Sequence, residues 1–188
     1  MINMLKDRLP LTVMVGGISY NVDYYHDTAL TLMSLLSDEL WTPQERAEKA
    51  LEIFYGDIIP DNHNEAFYRL LCFLNGVSEI EQEEGGGKND KIIDFDVDGN
   101  VIYTAFLRVY NIDLQDHPIH WWQFKVMLED LGDTPALNSI IKIRSTDEAD
   151  VPDKQRGSFR RLKKRYALEG AQKPAETLEE RNRRWREG

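Results

Sequence analysis

Cysteine, histidine and long apolar runs are the scarce features of this 188-residue chain. The single cysteine, Cys72, excludes an intramolecular disulfide framework and a cysteine zinc cluster, and makes a reducing compartment the default. No apolar run approaches the roughly 18 residues of a spanning helix. The N-terminus MINMLKDRLPLTVMV has no apolar stretch followed by a small-residue cleavage site, so neither a membrane span nor a signal peptide is expected. The four histidines, His26, His63, His117 and His120, show no His-Glu-x-x-His pattern. Only His117 and His120 are close enough to share a helix face, and a metal site needs a third ligand and usually a fourth. No nucleophile, base and orienter set is legible. The expectation is therefore no catalytic, cofactor or metal residue, and no enzyme. Basic residues are also scarce until the end. Residues 151–188 hold 12 Lys+Arg against 6 Asp+Glu, a net +6, which leaves 11 against 27 in residues 1–150, a net −16.

What is present is enough apolar and aromatic content (41% and 10%) for a real core. LTVMVGGISYNV alternates Leu11, Val13, Val15, then Gly16-Gly17, then Ile18, Tyr20, Val22. Two glycines supply the two positive φ angles of a type I′ turn, so this is a β-hairpin and not a phosphate loop. The pattern then becomes helical. Asp27 is a candidate cap for a stripe of Ala29, Leu32, Met33 and Leu36. Thr42-Pro43-Gln44-Glu45 is a capping box before Ala47, Ala50, Leu51, Phe54 and Tyr55. Asp61 or Asn62 starts a helix with Phe67, Leu70, Leu71 and Leu74, and Gly76 is placed to end it.

SEIEQEEGGGKNDK, residues 78–91, is acidic and glycine-rich and reads as a flexible loop. It separates a hairpin-plus-helices segment (1–77) from a helical core (92–150) and a basic helical tail (151–188). Whether these make one domain or two stays open. In the second half, Val101, Ile102, Ala105, Phe106, Val109 and Tyr110 mark a helix, TPALNSIIKIR a shorter one, and Phe159, Leu162 and Tyr166 the stripe of a basic one. Thr177 to Glu180 would cap a last helix carrying Arg181, Arg183, Arg184 and Trp185. The expected fold is mainly α: an N-terminal β-hairpin, a multi-helix bundle and a basic helical C-terminal tail.

Two stretches invite a chemical reading. DFDVDGN matches positions 1, 3, 5 and 6 of a calcium loop with Asp94, Asp96, Asp98 and Gly99. Its twelfth position is Ala105 instead of a bidentate glutamate, which favours an acidic helix start. QDHPIHWWQFKVML sets Trp121 and Trp122 about 100° apart on a helix whose first position would be Pro118. Trp121, Phe124, Leu128 and Leu131 form one stripe, and Ile119, Trp122 and Val126 another, so burial in the core is favoured over a cage. Contact with a partner is the other use of such tryptophans.

The second half resembles the "gp fifteen" family of small tailed-phage proteins. The likeness rests on Ile102-Tyr103 with Phe106, on Tyr110-x-Ile112-Asp113-Leu114, on Ile119-His120-Trp121-Trp122 with Phe124, Leu128 and Leu131, and on Ile141 and Arg144. It extends from the hairpin to about Tyr166, with departures at Asp98-Gly99 and in the arginine-rich end. The resemblance implies a protein encoded between the major tail protein and the tape measure, the position of tail assembly chaperones. The expected partners are the tape measure and tail-tube proteins, with a homo-oligomer as a further option and the bacterial host cytoplasm as the location. Candidate contact residues are Trp121, Trp122, Arg160, Arg161, Lys164 and Trp185. A structural virion component is the alternative, followed by a nucleic-acid-binding regulator using the basic tail, which the net −16 of residues 1–150 opposes.

Overall fold

The computed structural model describes residues 3–77 and 93–168. The expected loop at 78–91 and the final helix with Trp185 lie outside the described residues. Two compact units emerge, one of Met1–Lys88 with Tyr110–Asp130, the other of Asn89–Val109 with Leu131–Gly188. The fold is mainly helical, with one N-terminal hairpin.

In the first unit, β1 (Thr12–Val15) pairs antiparallel with β2 (Ile18–Asn21), Val13 facing Tyr20 and Val15 facing Ile18. Gly16 and Gly17 carry φ of 57° and 80°, as the glycine pair predicts. Helix α1 spans His26–Leu36 and buries His26, Ala29, Leu32 and Leu35. This corrects the expected stripe: Met33 is exposed, and Tyr25, not Asp27, occupies the N-cap. Helix α2 (Pro43–Tyr55) starts at the Thr42–Glu45 capping box, with both reciprocal bonds present. Its buried edge is Ala50, Leu51, Phe54 and Tyr55. The Tyr55 hydroxyl donates to the Ala66 carbonyl at 3.0 Å, and burial raises its pKa.

Helix α3 (His63–Asn75) is capped by Asn62, whose side chain accepts from the Glu65 N–H, and ends at Gly76 with φ 75°. It packs on α2 and on β1. Among the described residues of this unit, α5 spans Trp121–Asp130. Pro118 lies outside it, which corrects the Pro-initiated reading. His117 is exposed and off the helix, so it shares no face with His120. The two apolar stripes are corrected as well: Trp121 and Phe124 are buried, but Val126 is half exposed.

In the second unit, α4 runs from Phe95, with only its last residue, Tyr110, counted in the first. It is helical through Asp96, Asp98 and Gly99, so those carboxylates do not wrap a calcium loop. A 3₁₀ turn, Leu131–Asp133, leads into α6 (Pro135–Ser145), which buries Leu137 and Ile140. A second 3₁₀ turn, Glu148–Asp150, leads into α7 (Asp153–Tyr166). The expected stripe of α7 is corrected: Leu162 is 41% exposed, and Lys163 sits half-buried instead.

Candidate contact surfaces and the tryptophan clasp

The final carbonyls of a helix have no partner inside it. The last turn of α3 contains no cation to meet them. Helix α5 supplies the donors. The Trp121 indole N–H donates to the Leu74 carbonyl at 2.9 Å, and the Trp122 indole N–H to the Phe73 carbonyl at 2.7 Å. The Lys125 ammonium donates to the Asn75 carbonyl at 2.8 Å. Three side chains at i, i+1 and i+4 of one helix thus close the end of another. Gly76 leaves room for this, since a Cβ there would lie 3.3 Å from Lys125 Nζ. Burial holds the Lys125 pKa below its ordinary value.

The start of α5 is tied in the same way. The His120 carbonyl accepts the first helical bond, from the Phe124 N–H, and its Nδ1 accepts from the Trp122 N–H at 3.1 Å. His120 is therefore the N-cap. Its Nε2 lies 2.9 Å from the Pro10 carbonyl, an acceptor only. One nitrogen must accept and the other donate, which selects the neutral Nε2–H tautomer. His26 Nδ1 accepts from the Ile119 N–H at 3.3 Å, while the His26 N–H donates to the Ile119 carbonyl at 2.9 Å. The Trp121 N–H donates to the Tyr24 carbonyl at 2.7 Å, so residues 24–26 and 119–121 form a short antiparallel bridge. Both imidazoles are buried, and burial pushes both pKa values down. His120 stacks on Tyr24 (5.3 Å between centroids), and His26 on Phe124 (5.3 Å). At the far end of α5, the Tyr110 hydroxyl donates to Asp130 at 2.7 Å, and burial raises its pKa to about 12.

Trp121 is 2% exposed and covered by its own chain. Trp122 is partly exposed, with its polar end already bonded. The histidine clasp escaped sequence reasoning because its bonds join residues far apart in the chain. The one available signal was the absence of a cation in the last turn of α3, which requires donors from elsewhere.

The second unit is organised around a buried ion pair. Arg144 binds Asp98 through two nitrogens, at 2.5 and 2.9 Å, and its Nε donates to the Tyr166 carbonyl at 2.6 Å. Asp98 also accepts from the Asp94 N–H at 2.9 Å. The Arg144 and Asp98 side chains are 7% and 3% exposed. Helix α7 is held to its own unit further along: Lys163 donates to the Thr146 carbonyl at 2.8 Å, and Arg160 pairs with Glu148 at 2.7 Å. Of the basic candidate residues, Arg160 is thus engaged within its own unit, whereas Arg161 and Lys164 face solvent.

An apolar groove of about 420 Å³ runs along α4, lined by Val101, Ala105 and Val109 with Pro135 and Ala136, and with Arg108 among its polar residues. Val97 and Val109 are 46% and 51% exposed. Among the described residues, no three His, Cys, Asp or Glu side chains come together as a metal site, and no helix is long and apolar enough to cross a membrane.

No curated protein and no solved structure matches the chain. Residues 5–168 match the family model described as Bacteriophage Gp15 protein, a stretch that contains the clasp, the Asp98–Arg144 pair and the α4 groove. With most of its length covered by that match, the chain belongs to the bacteriophage Gp15 family.

Proposed function

We propose that this phage protein is a tail assembly chaperone, which acts by contact and not by catalysis, and which holds the tape measure protein before tail-tube subunits enclose it. The observation that carries this reading is the α4 groove. Val97, Val101, Ala105 and Val109 repeat at i+4 along one side of the helix, and the two ends of that row remain half exposed. Such a row beside a groove suits an amphipathic helix laid lengthwise. A tape measure is a long, largely helical chain whose apolar surface is uncovered until the tube forms around it, so its chemistry fits.

Co-expression with the tape measure tests this reading. The two chains are expected to co-purify, and Val97→Glu with Val109→Glu is expected to reduce capture by about tenfold, since each places a charge against apolar surface. Both sites are exposed enough that melting should barely change. A chaperone is absent from purified mature virions. Stoichiometric recovery from virions, without capture of the tape measure, would instead favour a structural tail component.

A further inference from the structure

The outer face of α7 is a row of exposed positive charge, in which Arg161 donates to the Gly157 carbonyl and Arg165 lies over the Tyr166 ring. Lys154, Arg161 and Arg165 fall at i, i+7 and i+11, with Lys164 beside them. All four are exposed, and none forms an ion pair among the described residues. Leu162 lies 41% exposed next to Arg161. A negative row exists on α2, where Glu45, Glu48 and Glu52 fall at i, i+3 and i+7, all exposed. Glu45 closes the Thr42 capping box, and Glu48 accepts from Gln44 Nε2 at 2.8 Å. Glu52 pairs with Lys49 at 2.7 Å, an exposed contact weak enough for an arginine of a second copy to replace. Arg161 to Arg165 and Glu48 to Glu52 are each four residues apart, about 6 Å on either helix. Beside the acidic row is a groove of about 290 Å³ in which Ala47, Leu51 and Phe67 are flanked by Gln44, Glu48, His63 and Asn64.

We propose that α7 of one copy docks along α2 of a second copy, with Arg161 and Arg165 against Glu48 and Glu52 and Leu162 in the groove. The two surfaces differ, so the contact is heterologous and adds copy after copy unless a ring closes. A second copy is favoured over nucleic acid because the whole chain carries −10. The described residues of the first unit alone hold 15 Asp+Glu against 6 Lys+Arg, which attracts α7 of a neighbour and repels a polyanion. The proposal stands apart from tape measure capture, which uses α4.

Sedimentation of the full chain over a concentration series decides it. At about 50 mM salt the average mass should rise with concentration, and at about 500 mM it should fall by about twofold or more, as screening removes exposed pairs. Glu48→Lys/Glu52→Lys and Arg161→Glu/Arg165→Glu should each stay monomeric alone with unchanged melting. Mixed one to one they should assemble again, because each reversed surface meets its reversed complement. A monomer at every concentration in low salt would overturn the proposal. So would either variant assembling alone like the parent, or a mixture that fails to assemble. Retention of a DNA duplex that depends on Arg161 and Arg165, with assembly unaffected by their reversal, would assign the face to nucleic acid instead.

Discussion

The two units meet the same demand with different chemistry. Each buries polar groups that its helices leave unpartnered, and each must bond them to something. The first unit uses neutral donors and acceptors: two indoles and two imidazoles, joined by one ammonium at a partly exposed edge. The second uses one ion pair, Asp98 with Arg144, to join α4, α6 and the end of α7. A neutral clasp is lost in steps, one hydrogen bond at a time. A buried ion pair fails in one step, because removing one partner leaves the other without its counter-charge.

The sharpest way to break this contrast is Asp98→Ala. It should cost about 3–5 kcal/mol by chemical denaturation, since Arg144 is left charged and buried. Asp98→Leu combined with Arg144→Met should recover most of that loss, and failure to recover would show that the pair does more than satisfy itself. Trp121→Phe comes next, at about 1–3 kcal/mol, because it leaves the Leu74 carbonyl with only the long contact from the Lys125 ammonium at 3.4 Å. Thr42→Ala, which removes a cap common in any helix, should cost about 1 kcal/mol and serves as the reference for an ordinary terminus.

The graded expectation concerns acidity. Both clasp histidines have pKa values below the ordinary value of about 6.5, so the unfolded chain binds protons more readily than the folded one. Stability from the clasp is full above that ordinary value and declines as pH falls from it through the folded values. Asp27 opposes this partly at His26 by favouring the charged ring. Melting curves between about pH 8 and 5 should show the decline, and His120→Gln should flatten it. A pH slope unchanged by His120→Gln and by the same change at His26 would assign it elsewhere.

Much of the fold was legible because it follows from local geometry. Gly16-Gly17 allows the hairpin turn, the Thr42 box starts α2, Asn62 and Gly76 bracket α3, and Thr134-Pro135 opens α6. Helix α5 starts later than its sequence suggests, because Pro118 fits a first helical position while His120 takes a tertiary partner in Pro10. Spacing alone puts Leu162 in a buried stripe, whereas the bonds made by Arg144 and Lys163 turn α7 another way. The α4 groove was invisible in sequence, since Val101 and Val109 sit in the same apolar pattern as the buried Ile102 and Phe106.

The sequence by itself determined the helical class, the hairpin, the start of α2, both ends of α3, the start of α6 and the split between an acidic body and a basic end. These depend on φ preferences, capping side chains and charge counts, all set within a few residues. Only the tertiary structure decided which tryptophan is covered, that both histidines are neutral, which apolar residues of α4 stay open, and that Asp98 answers Arg144. Each of these depends on where a distant carbonyl, ring or charge comes to rest, and no local pattern carries that information.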